Sequence, residues 1–214
     1  MSASCCDCGP ETSSAPDPRF RIVLWVALAI NLTMFAIEIG ASFVAGSSAL
    51  QADALDFLAD SANYAISLSV AGLALAWRAR AALIKGATMG VFGIGVLVGT
   101  VWHLMIGTVP HAELMGVVGM TALVANGVVA AMLYRFRSGE ANMRSVWICS
   151  RNDVIGNLAV LLAAAGVFGT GTGWPDFAVA LVMAVLGISG AWNITRQASA
   201  ELDVSNGRTL APSV

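Results

Sequence analysis

Six apolar stretches of about 20 residues, parted by short polar breaks, leave this chain one architecture, a bundle of helices that cross a membrane. In hydrocarbon each backbone N–H and C=O has to be bonded within its own segment, so stretches of this length become helices. The sequence places them near 22–44, 50–77, 82–106, 112–134, 145–168 and 175–195. Gly46, Ser47 and Ser48 part the first from the second, Gly107 to Pro110 ends the third, and Gly169 to Pro175 separates the last two. Composition agrees: 11% of residues are charged, where a soluble domain carries about 25%. No basic patch offers itself to nucleic acid. Residues 1–18 are polar, hold Pro10, Pro16 and Pro18, and read as a disordered tail. They are no signal peptide, because the first apolar run is full length for a span and contains Asn31 and Glu38. The expected organisation is a Cys-containing tail over 1–18, one all-α membrane domain over 19–197 and a short polar tail over 198–214.

Basic residues set the orientation. Arg19 and Arg21 precede the first span, Arg78, Arg80 and Lys85 follow the second, Arg135, Arg137 and Arg144 follow the fourth, and Arg196 and Arg208 follow the sixth. The connections after the first, third and fifth spans carry no Lys or Arg, and Arg151 is read as the one basic residue inside a span. By the positive-inside rule both termini are cytoplasmic, in a multi-pass protein of the cell (inner or plasma) membrane.

The second span carries Asp53, Asp56 and Asp60, with Asn63 and Ser67 continuing the same face. A carboxylate at mid-bilayer costs about 2.5–3.5 kcal/mol even on the lenient insertion scale. Three on one face repel one another and call for a cation, protons or both. The bland alternative is a polar stripe satisfied by neighbouring helices. The fifth span supplies a matching face, in which Ser145, Cys149, Asp153 and Asn157 recur every four residues. Asp56 with Asp60, and Cys149 with Asp153, are each an i, i+4 ligand pair. Two facing helices with two ligands apiece can build a four-coordinate site of the kind zinc prefers. Three carboxylates and a thiolate suit Zn, Cd, Co or Fe(II) better than Mg or Ca.

With these residues the sequence resembles the cation diffusion facilitator family over nearly all six spans. The resemblance rests on Asn31, Met34, Phe35 and Glu38 in the first span, on Gly46 through Asp60, on Asn152-Asp153-Val-Ile-Gly-Asn157, and on Trp174-Pro-Asp176 opening the last span. It implies that Asp56, Asp60 and Asp153 bind a transported divalent metal, Zn or Cd first, and exchange it against protons. Cys149 stands where the family usually has His. The cytoplasmic C-terminal domain by which the family usually dimerises and senses metal is absent from this sequence, which leaves a homodimer open. No permanent cofactor and no enzymatic role are implied.

Other residues take looser assignments. Asp53 matches a family-typical acid one turn nearer the outer end, as a support or pathway residue or simply a helix-start carboxylate. Glu38 relays protons or pairs with Arg151, which is read as charge compensation, and Asn157 is a supporting or pathway residue. Cys5, Cys6 and Cys8 are reduced on the cytoplasmic side, and either capture metal for the pore or bind it incidentally. His103 and His111 are expected at the outer face. Asp176, at the outer end of the last span, is expected to matter far less to flux than Asp60 or Asp153. Two further functions fit parts of the pattern. A membrane metal sensor or accessory subunit would need the site without the transport. An intramembrane aspartyl protease would use Asp60 and Asp153, but its Gly-x-Gly-Asp signature is missing and Asp56 and Cys149 would be idle.

Overall fold

A computed structural model describes residues 18–69, 75–137 and 141–205. Cys5, Cys6, Cys8 and Arg208 lie outside them, as do the side chains of Arg78, Arg144 and Ser145. Among the described residues the chain is helical throughout, without strands. The helices are α1 (Pro18–Ala45), α2 (Ser48–Ser69), α3 (Leu75–Ile106), α4 (Ala112–Leu133), which ends in a 3-10 turn over Tyr134–Phe136, α5 (Ala141–Thr170) and α6 (Trp174–Ser205). Five are long and apolar enough to cross a membrane; α2 is excluded from that set by its acids. Its 22 residues still reach about 33 Å at the helical rise, the thickness of a bilayer core.

The expected boundaries shift at one place that matters. The second span was expected to run to 77 and the third to start at 82, because the apolar run Val70 to Trp77 has no polar break. Instead α2 ends at Ser69 and α3 begins at Leu75. Trp77 and Arg80 therefore ride on α3, and Lys85, already within the bounds expected for the third span, lies ten residues inside that helix. At the other end α6 continues to Ser205, so residues 198–205 are helix where a tail was expected.

The packing is that of a bundle whose solvent is lipid. Large apolar side chains point outward, among them Phe43, Met105, Leu162, Phe168 and Trp192. Small residues sit between helices, including Ala27, Ala49, Ala52, Ala122, Ala163, Ala180 and Ala191. Lipid tails are as apolar as leucine, so helices associate by close packing and interhelical hydrogen bonds, not by escape from solvent. The closest approach joins α3 to α6, the most extensive pairing in the molecule. At its middle a Cβ on Gly86 would lie 2.5 Å from Thr195 Oγ1 and 3.2 Å from the Ala191 carbonyl oxygen. The pairs α1–α2 and α4–α5 come next in extent, and α2 touches α1, α3, α5 and α6. The helix that carries the acids is thus the one most surrounded by protein.

The start of α2 is fixed from a distance. Gly46 takes φ +63°, a conformation glycine adopts without strain, and turns the chain between α1 and α2. Four backbone N–H groups at the N-terminus of a helix lack intrahelical acceptors, and here each finds one. Ser47 N–H bonds the Ser42 carbonyl (3.0 Å), and Leu50 N–H bonds Ser47 Oγ (3.1 Å). Ser48 and Ala49 N–H both reach the Asp176 carboxylate of α6 (2.9 and 3.1 Å). Ser47 Oγ–H donates to the same carboxylate (2.6 Å). Asp176 is itself in the first turn of α6, so a single carboxylate faces the positive ends of two helices.

Candidate metal-transport site

The acids of α2 turn toward α5, as their spacing requires. Asp53 is 1% exposed, and Asn157 Nδ2 donates to both of its oxygens at 2.9 and 2.8 Å. Asn157 Oδ1 in turn accepts from Asn126 Nδ2 of α4 at 2.9 Å. A relay of three buried side chains therefore pins α2, α5 and α4 at one level. One amide is used up on each side, which orients Asn157 without ambiguity.

Two turns further along α2, Asp60 meets Asp153 of α5 side chain to side chain. Tyr64 O–H donates to Asp60 Oδ2 (2.9 Å) and pairs with Ser150 Oγ (2.9 Å). Asp153 Oδ2 is buried without a hydrogen-bond partner. Asp56 lies between, within electrostatic reach of Asp53, Asp60 and Asp153. Two carboxyl groups in contact away from water either share a proton or take up a cation. Cys149, half-buried and free of any disulfide, sits one turn before Asp153 on α5. The four-coordinate arrangement that the two ligand pairs suggest is not closed up here. Among the described residues no three His, Cys, Asp or Glu side chains gather tightly enough to hold an ion.

Glu38 and Arg151 do not pair. Glu38 is fully buried and faces Asp53, with no hydrogen-bond donor for either oxygen. Arg151 is exposed, and its guanidinium lies 5.4 Å from the centre of the Trp147 ring on its own helix. A cation stacked on an aromatic ring at the rim of a span needs no carboxylate inside it. His111 is exposed, whereas His103 is half-buried with Nδ1 3.3 Å from Ser48 Oγ.

Sequence reasoning missed several contributors. Tyr64 follows Asp60 by four residues, and helical spacing alone could have marked it. Ser150 gives no local signal. Lys85, 7% exposed, donates to Asn63 Oδ1 of α2 and lies within electrostatic reach of Asp60. Its apolar neighbours on α3 would have flagged it once the start of that helix was known. Asp176 was noticed, but not its bonds to the start of α2.

Comparison with known proteins gives the family. The model of the cation efflux transmembrane domain matches residues 24–202. The chain belongs to that family. It is 25% identical over 183 residues to the metal cation efflux system protein CzcD of Cupriavidus metallidurans, an alignment covering 79% of this chain and 57% of that protein. The cation efflux system protein CzcD of an Alcaligenes species matches with the same identity and coverage. The chain thus spans somewhat over half the length of these curated relatives. Family and helices together make it a multi-pass membrane protein.

Proposed function

We propose that this chain carries a divalent transition metal, zinc or cadmium first, out of the cell in exchange for protons. The observation that carries the proposal is the contact of Asp60 with Asp153 across α2 and α5, with Asp56 beside it and one Asp153 oxygen unpartnered. Membership of the cation efflux family and the names of the CzcD relatives support a metal cation as cargo. Ionised Asp56, Asp60, Asp153 and Cys149 take the metal from the cytoplasmic side. Tyr64, bonded to Asp60 Oδ2, holds that carboxylate in place beside Asp153. Protonation of the donors from the other side lowers affinity and frees the metal, because ligands bind metal only when deprotonated. Glu38 and Asp53, buried against each other, lie along the same path and suit a proton-carrying role. Both tails are cytoplasmic in this scheme, following the basic residues.

The test is metal uptake into liposomes that hold this protein alone, with an inward-loaded fluorescent chelator and an imposed pH gradient. Flux that follows the gradient, and falls to background in Asp60→Asn and Asp153→Asn while both variants still insert, is the expected result. Flux that survives both substitutions refutes the site. Absence of flux from wild type, with metal still bound, points to a sensor instead.

A further inference from the structure

We propose that Lys85 is the built-in counter-charge of the acidic cluster, and that its ammonium sets how tightly a divalent cation is held and how readily it leaves. Lys85 lies ten residues into α3, about 15 Å along the axis at the helical rise. Its side chain is buried in protein. Its hydrogen-bond acceptor is the Asn63 amide oxygen, which carries no charge. An ammonium is costly to hold at such a place unless anions are near. Asp60, less than one turn before Asn63 on the same helix, supplies one within electrostatic reach. From α5, Asp153 meets Asp60 at the same level. On the α6 side, Thr195 and Ile194 face the neighbouring Gly86 and bring no charge. Lys85, the one buried cation among the described residues, and the acids are therefore mutual company.

The consequence follows from Coulomb's law, in which energy scales with the product of the charges. A fixed positive charge beside the site repels a dication twice as strongly as it repels a singly charged ion at the same point. It also spares the empty site part of its self-repulsion. Lys85 thereby raises the free energy of the filled site relative to the empty one, which weakens binding and speeds departure. Lys85 plays this part only if Asp60 and Asp153 are the cation ligands proposed above.

The experiment compares wild type, Lys85→Gln and Lys85→Arg in two measurements. One is the Zn2+ and Cd2+ dissociation constant by chelator competition in detergent; the other is the initial rate of flux into liposomes across a range of metal concentrations. Lys85→Gln, which keeps a donor to Asn63 but no charge, is expected to bind both ions about tenfold more tightly or better, with a lower half-saturating concentration and a lower maximal rate. Lys85→Arg should stay near wild type in both. A merely structural role would lower flux without tightening binding, and that result overturns the proposal. Wild type that binds neither ion removes the ligands themselves, and the proposal with them. Should Lys85→Gln not fold, Lys85→Met is purified with and without Zn2+. A sharp elution peak only with Zn2+ shows the two cations to be interchangeable, and failure to fold in either condition overturns the assignment.

Discussion

Asp176→Ala removes the acceptor of three hydrogen bonds at the start of α2, from Ser47 Oγ–H, Ser48 N–H and Ala49 N–H. The residue is fully buried, so water cannot simply replace it. Each buried donor left without a partner costs about 1–3 kcal/mol. Loss of an ordinary N-cap costs about 1 kcal/mol. Ser47 Oγ–H can turn to another acceptor while its oxygen keeps the Leu50 N–H. That leaves the two backbone N–H groups as the main loss, a destabilisation of about 3–4 kcal/mol. Asp176→Asn keeps one acceptor but points an N–H at a donor, and is expected to cost about 2 kcal/mol. The assay is reversible unfolding in mixed micelles, titrating SDS and following helix loss by circular dichroism. Asp56→Asn serves as the contrast, since it removes a charge crowded by Asp53 and Asp60 and leaves the anion nearest Lys85 in place, so it should not destabilise the fold. Flux per folded molecule should fall in Asp176→Ala as well, because α2 carries three of the acids and its entry is no longer fixed to α6. An Asp176→Ala protein within about 0.5 kcal/mol of wild type, the range of an indifferent site, would refute the tie between the two helices.

Three more outcomes are expected. Asn157→Leu breaks the Asn126–Asn157–Asp53 relay and leaves a buried carboxylate without its donors; the same SDS titration should show a loss of about 2–3 kcal/mol, and Asn126→Leu a smaller one. Gly86→Leu forces α3 away from α6, because even a Cβ meets Thr195, Ile194 and the Ala191 carbonyl; overpacking of this kind costs about 1–3 kcal/mol or more and should appear as a lowered melting temperature in detergent. Cys149→His exchanges a soft anionic ligand for a neutral, harder one, so chelator competition should show cadmium losing more affinity than zinc; an unchanged Cd-to-Zn ratio would remove Cys149 from the site.

The sequence by itself determined what depends on hydropathy and on the period of a helix. It gave the six helices, because a bilayer allows an apolar stretch no other conformation. It also gave the faces that carry Asp53, Asp56 and Asp60 on α2 and Cys149, Asp153 and Asn157 on α5, because residues three and four apart share a face whatever lies opposite. The end of the second span was misplaced, since Leu75 to Trp77 belong to α3 and hydropathy does not divide a continuous apolar run between two helices. Only the tertiary structure decided which faces meet. Asp176 reaches back to Ser47, more than a hundred residues away; Lys85 comes inward to Asn63; Arg151 stays on Trp147 and leaves Glu38 to Asp53. The partners of Asp176, Lys85 and Glu38 lie on other helices and are chosen by how the bundle packs around α2, whereas Arg151 keeps to a ring four residues before it on its own helix. A residue's face is a property of its own helix, whereas its partner is a property of the bundle.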